Sequence, residues 1–210
     1  LIVSAKNAVY TGLPYSESNM TCSGTSAPTY RYYADSNGAK SNQLDGAPIN
    51  AGTYWVEAYA PETSSTASAT SQAVRFHIEK APLCIRAKGK TITFGETLSD
   101  NGAEINGFVN NENENVLSGL NYAFDYAQFS DIGTYTIIPM AAKAENYKIT
   151  YENGVLNVQP KPVEIKWNGE SIFYYDGTPK LVTAEAIGAV NGDALTVIIE
   201  DGSRTETGSY

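Results

Sequence analysis

The chain has 210 residues, with 14 Lys and Arg against 23 Asp and Glu, for a net charge of −9. An acidic surface repels nucleic acid and anionic lipid, and no apolar run approaches the ~18 residues of a membrane-spanning helix, so neither nucleic acid nor membrane insertion is expected. Fifteen tyrosines, with abundant Thr, Asn, Ser and Gly, suit strands and turns, because aromatic and β-branched side chains fit a half-buried pleated surface.

In chain order, the opening stretch Ser4-Ala5-Lys6-Asn7 leads to Tyr10-Thr11-Gly12, and Asn19-Met20-Thr21 is an isolated glycosylation sequon. In Tyr30-Arg31-Tyr32-Tyr33, strand alternation puts Tyr30 and Tyr32 on one face and Arg31 and Tyr33 on the other. Gly52-Thr53-Tyr54 opens a strand in which Tyr54, Val56 and Ala58 oppose Trp55, Glu57 and Tyr59. A Ser/Thr-rich stretch, Pro61 to Ala73, follows. Val74 to Glu79 then alternates strictly, which turns Phe76 and Ile78 inward and makes the chain's one histidine, His77, a solvent-facing strand residue. Only Glu79-Lys80-Ala81-Pro82 separates Ile78 from Leu83.

Beyond it lie Arg86-Ala87-Lys88-Gly89 and Phe94-Gly95, then Asn110 to Gly119, whose Asn and Glu residues predict a loop. The oxygens of Asn110-Asn111-Glu112-Asn113-Glu114-Asn115 raise the question of calcium, but the spaced aspartates of a calcium loop are absent and a solvated loop is expected. Tyr122, Phe124 and Tyr126 alternate, and Asp131-Ile132-Gly133-Thr134-Tyr135 opens another strand. Asn153-Gly154 reads as a two-residue hairpin turn pairing Tyr151 with Leu156 and Ile149 with Val158. Asn168-Gly169 reads the same way, with Ile165 opposite Ile172 and Trp167 opposite Glu170. Gln159-Pro160-Lys161-Pro162 again spaces two strands by four residues.

These elements repeat. Gly-Thr-Tyr at 52–54 recurs at 133–135 and as Gly208-Ser209-Tyr210; Tyr10-Thr11-Gly12 recurs as Phe94-Gly95 and Tyr175-Asp176-Gly177; Lys88-Gly89 recurs as Asn168-Gly169. Three markers in one order at a period of about 80 residues indicate tandem modules. Their limits are 1–81, 82–161 and 162–210, and the third stops before its final strands, so the chain reads as an internal segment of a longer protein. Short strands with regular turn signals predict an all-β fold of small immunoglobulin-like β-sandwiches placed end to end. In each, the tyrosine of Gly-Thr-Tyr is expected to be a buried equivalent, Tyr54, Tyr135 and Tyr210, with its hydroxyl reaching nearby backbone.

Chemistry is sparse. One histidine and no Cys-x-x-Cys leave no zinc pattern; no Gly-x-Ser-x-Gly elbow or phosphate loop is present; Cys22 and Cys84 read as two unbridged thiols. No enzymatic activity and no cofactor are expected.

Tyr175-Asp176-Gly177-Thr178-Pro179-Lys180, with Gly192-Asp193 and Gly208-Ser209-Tyr210, resembles the YDG-type repeat of bacterial surface proteins. Module 2 resembles the related MBG repeat through Phe94-Gly95-Glu96, Gly107-Phe108-Val109-Asn110, Leu117-Ser118-Gly119, the strand from Asp131 to Ile137, and Asn146-Tyr147 through Val158. Module 1, with Ala47-Pro48-Ile49-Asn50-Ala51-Gly52-Thr53-Tyr54, is similar to bacterial Ig-like repeats, and departs most at its Ser/Thr-rich stretch. The resemblance implies an extracellular, multi-repeat protein anchored to a bacterial envelope, with no shared catalytic residues.

Two functional readings follow. In the first, the modules are a monomeric, semi-rigid stalk that presents a distal domain, because the joints are short and proline-bearing. In the second, module 1 is an adhesin that grips a host or matrix glycan or protein through Arg31, Tyr33, Trp55 and Tyr59, aromatic rings to stack on sugars with an Arg as donor. The favoured reading of the same rings is that they fill a two-layer core or an intermodule joint.

Overall fold

The structure, a computed structural model, describes residues 1–24, 27–34, 42–98, 102–170 and 172–209. Among the described residues the chain is all-β, as the sequence predicts, and a 3-10 turn at Glu114–Val116 falls inside the stretch expected to be a loop. It divides into two compact units, one made of Leu1–Lys88, Gly102–Ala123 and Ile138–Gly154, the other of Gly89–Asn101, Phe124–Ile137 and Val155–Tyr210. Tyr210, the expected third equivalent of Tyr54, lies outside the described residues.

Residues 2–79 supply β1 (Ile2–Ala5), β2 (Ala8–Val9), β3 (Ser18–Thr21), β4 (Thr29–Ala34), β5 (Gly52–Ala60), β6 (Ala69–Thr70) and β7 (Val74–Glu79). β1 and β3 pair antiparallel, and the order β2-β7-β5-β4, with β6 added on β5, forms the second sheet. Between these sheets sits the core: Val3, Tyr15, Tyr32, Val56, Ala58, Phe76 and Ile78. Its centre is aromatic. The Tyr15 ring stacks on Phe76 at 4.0 Å between centroids, and Tyr32 meets Phe76 edge-on at 6.2 Å. Buried tyrosine needs a partner for its hydroxyl, and Tyr15 finds one by donating to the Lys6 carbonyl at 2.6 Å. The predicted alternation of β7 holds. His77 lies on the face away from Phe76, its Nδ1 3.0 Å from Thr53 Oγ1.

β8 (Ala81–Ala87), β9 (Lys90–Thr93), β10 (Ala103–Asn106), β11 (Asn121–Phe124), β12 (Gly133–Met140), β13 (Tyr147–Glu152) and β14 (Gly154–Gln159) follow. They form one sheet of order β10-β8-β13 and another of order β11-β12-β14-β9. Strict alternation along β8 buries Ala81, Leu83, Ile85 and Ala87. β15 (Glu164–Asn168), β16 (Lys180–Leu181), β17 (Thr183–Ile187) and β18 (Ser203–Arg204) complete the described strands as two antiparallel pairs, β15–β17 and β16–β18.

Both Asn-Gly hairpins fail. β13 runs parallel to β8, with Ile149 opposite Leu83, whereas β14 runs parallel to β9, with Val158 opposite Ile92. Asn153-Gly154 therefore passes the chain from one sheet to another. Glycine is required there by space: a Cβ on Gly154 would sit 2.7 Å from the carbonyl oxygens of both Ala87 and Lys88. At Asn168-Gly169, β15 pairs instead with β17, and Trp167 lies opposite Ala184. The same crossing occurs at Lys6-Asn7, between β1 and β2, and at Lys88-Gly89, between β8 and β9. This repeated marker is thus a sheet switch at its first two occurrences.

The Gly-Thr-Tyr element behaves as expected at its hydroxyl. Tyr54 donates to the Asn50 carbonyl at 2.9 Å, and Tyr135 donates to the Asp131 carbonyl at 2.7 Å, both four residues back. The rings are half-buried rather than buried, since each hydroxyl must reach the strand's entry turn at the surface. The Tyr54 ring also covers Gly52, where a Cβ would stand 3.2 Å from the hydroxyl oxygen. Cys22 and Cys84 are free thiols.

Gly154→Ala is expected to destabilise the chain by about 1–3 kcal/mol, since the two carbonyls are backbone and cannot step aside. Gly46→Ala, whose Cβ would have nothing within 4 Å, should stay within about 0.5 kcal/mol of the parent in the same urea titration.

Candidate functional site

The outward face of β4 and β5 gathers the four residues singled out in module 1. The antiparallel register sets Arg31 opposite Glu57, Tyr33 opposite Trp55 and Thr29 opposite Tyr59. Their organising centre is Glu57, a buried carboxylate. Tyr33 donates to Glu57 Oε1 at 2.6 Å, and Arg31 Nη1 stands 4.0 Å from the same oxygen. The Arg31 guanidinium also lies 3.4 Å from the centroid of the Tyr59 ring, a cation–π contact. Trp55 is half-buried, and its indole N–H is enclosed with no hydrogen-bond partner.

Tyr33 does not present a ring to solvent, because it is only 2% exposed. Its hydroxyl gives the buried Glu57 carboxylate a hydrogen bond beside the more distant Arg31 charge. Burial, then the hydrogen bond and the negative charge of Glu57, push the Tyr33 phenol up to about 12. Arg31, Trp55 and Tyr59 keep partial exposure, so the face available to a ligand is narrower than the alternation predicts.

A second constellation lies at the junction of β7 and β8, within the first compact unit. Glu112, in the Asn/Glu-rich loop, accepts a hydrogen bond from the Tyr10 hydroxyl at 2.5 Å on one oxygen and from the Tyr147 hydroxyl on the other. The two rings meet edge-on at 5.6 Å. Tyr147 Oη in turn accepts from the Val109 N–H at 3.1 Å. Burial, then the hydrogen bond to Glu112, raises the Tyr10 phenol to about 12 and raises that of Tyr147. At neutral pH both phenols are donors, so the carboxylate is held between two fixed protons.

Around this clamp, Asn146 sews the chain together. Its Oδ1 accepts from the Ala51 N–H at 2.9 Å, its Nδ2 donates to Asn50 Oδ1 at 3.0 Å, and its carbonyl accepts from the Ala81 N–H at 2.9 Å. Asn110 Nδ2 donates to the Gly12 carbonyl at 3.0 Å. A cleft of about 700 Å³ opens beside the clamp, lined by Lys80, Lys143, Glu145, Asn146 and Ser118 among others. The loop considered for calcium is therefore tied into the fold by its own Asn110 and Glu112. Among the described residues no group of three His, Cys, Asp or Glu side chains could hold a metal ion. Sequence reading missed this clamp because Tyr10 and Glu112 lie 102 positions apart; the one available signal was Tyr10's place as a repeat marker.

Residues 83–157 match the MBG domain family, YGX type. No curated protein matches the chain. Among solved structures, the chain is similar to the fibronectin(III)-like modules of Clostridium thermocellum CbhA, at 13% identity and a TM-score of 0.25, over 76% of this chain and 95% of that one. The MBG match fits a non-catalytic repeat module.

The raised phenols carry a pH signature. Tyr10 and Tyr33 titrate near 12 in the fold, against 10.0 ordinarily, so their stabilisation is full below pH 10 and is lost as pH rises through about 12. Melting temperature should fall over that window, with part of the tyrosinate absorbance delayed until the chain unfolds. Near-complete ionisation of every tyrosine at about pH 11 in a folded chain would contradict both assignments.

Proposed function

We propose that this chain is a non-catalytic, extracellular repeat region of a bacterial surface protein, acting as a semi-rigid stalk that presents a distal functional domain. The observation that carries the reading is the joint after β7. Ala81 and Pro82, expected to be linker, belong to β8, so Lys80 alone separates two strands. Ala81, Leu83 and Tyr147 then enter the same hydrophobic cluster as Val3, Val56, Phe76 and Ile78. A linker of one residue, a continuous core and the Glu112 clamp resist bending at this joint. Between β14 and β15 stand only Pro160, Lys161, Pro162 and Val163, and two prolines there restrict φ. The MBG match over residues 83–157 and the acidic, weakly charged composition support placement outside the cell. In this proposal the chain acts as a monomer.

A second reading is favoured by one observation, the Arg31 guanidinium already held on the Tyr59 ring beside a half-buried Trp55. On it, module 1 is an adhesin for a host or matrix glycan or protein. Trp55→Ala abolishing glycan-array binding in a folded chain would select this reading.

Small-angle scattering tests the stalk. An elongated particle is expected, and a compact globule would refute the proposal. Glu112→Ala leaves two buried phenols without their acceptor, which should cost about 1–3 kcal/mol each in stability and broaden the interatomic distance distribution.

A further inference from the structure

The cleft beside the Glu112 clamp lies wholly within the first compact unit, and its charges run against those of the chain. The net charge is −9, yet two lysines, Lys80 and Lys143, line this one cleft. Both are exposed, and among the described residues neither enters an ion pair. Backbone holds both in place. Lys80 is the one residue between β7 and β8. The Lys143 N–H donates to the Ser118 carbonyl at 2.8 Å, and the Ser118 N–H donates back to the Lys143 carbonyl at 3.0 Å.

The other walls are mixed. Glu112 reaches the cleft, but each of its oxygens already takes a phenol proton, from Tyr10 or Tyr147. Glu145 adds an exposed carboxylate and Ser118 a hydroxyl, while Val116, 40% exposed, gives an apolar wall. At about 700 Å³ the cleft has the size of a small-molecule site.

This mixture restricts the ligand. Two ammonium groups attract an anion, each as a point charge with three donors. Glu112 and Glu145 repel a densely charged one such as a polyphosphate, and Glu145 favours a ligand that brings O–H donors. One carboxylate per ring, hydroxyls around it and an apolar C–H face meet all these demands together. We infer that this cleft binds a short acidic saccharide of the uronic-acid class. Its carboxylates lie between Lys80 and Lys143, a hydroxyl donates to Glu145, and a ring face rests on Val116. Since Lys80 is also the linker between β7 and β8, the bound saccharide ties that linker to the segment 143–147 and stiffens the joint.

The test is an amide NMR titration of the 210-residue chain with a trimer of galacturonic acid. Signals of Ser118, Lys143 and Glu145 should move, with saturation in the millimolar range. Lys80→Gln and Lys143→Gln should each weaken binding about two- to fivefold, as loss of an exposed charge pair does. Lys6→Gln, exposed but outside the cleft, should leave it unchanged. No movement at about 10 mM trimer would overturn the inference. An equal response to the methyl-esterified trimer would overturn the role given to the lysines. An equal response to sodium acetate at the same carboxylate concentration would reduce the cleft to an unspecific anion site and overturn the saccharide. Movement confined to the surroundings of Trp55 would place the sugar on the outward face of β4 and β5 and overturn this site.

Discussion

The junction between β7 and β8 is set by a single constraint: one residue, Lys80, stands between them. With so short a passage, the inward residues of the outgoing strand, Phe76 and Ile78, and those of the incoming strand, Ala81 and Leu83, feed one hydrophobic cluster. Neither side can tilt without opening a void, and close-packed interiors resist voids. The polar contacts then sit on that frame. Asn146 reaches back to Asn50 and Ala51, and Glu112 reaches Tyr10, because the shared core holds those loops within hydrogen-bonding distance.

The two polar centres solve the same problem in the same way. Glu57 and Glu112 are carboxylates answered by tyrosine hydroxyls, one on Glu57 and two on Glu112. A phenol is a suitable partner, since its ring packs as a hydrophobe while its hydroxyl remains a neutral donor. The chain's wealth of tyrosine thus has a structural use. Tyr15, Tyr54 and Tyr135 cap backbone carbonyls, and Tyr10, Tyr33 and Tyr147 cap carboxylates.

Much of this was legible from period and repetition. Alternation placed Phe76 and Ile78 inside and grouped Arg31, Tyr33, Trp55 and Tyr59 on one face, because pleating alone decides which way a strand residue points. Repetition exposed the Gly-Thr-Tyr element with its i−4 hydroxyl bond. Two things were illegible for physical reasons. Alternation does not tell a solvent face from a second covered face, so Tyr33 was read as available when it is sealed against Glu57. Asn-Gly signals a chain reversal by local conformation, yet Gly154 is dictated by two carbonyls of Ala87 and Lys88, far away in sequence. The Glu112 clamp joins residues up to 102 positions apart, and no local pattern encodes such a contact.

The parallel pairs β2–β7 and β9–β14 carry a mechanical meaning. In each, a strand lies alongside one that follows some 65 to 70 residues later in the chain, with Ala8 opposite Ile78 in one and Thr91 opposite Asn157 in the other. Tension drawn along the polypeptide enters such a pair at opposite ends, so it slides one strand lengthwise past the other. Its hydrogen bonds, evenly spaced in a parallel ladder, then bear the load together, whereas a hairpin pulled from its two free ends would peel open rung by rung. With four register pairs against two, the β9–β14 clamp shares that load over the longer seam.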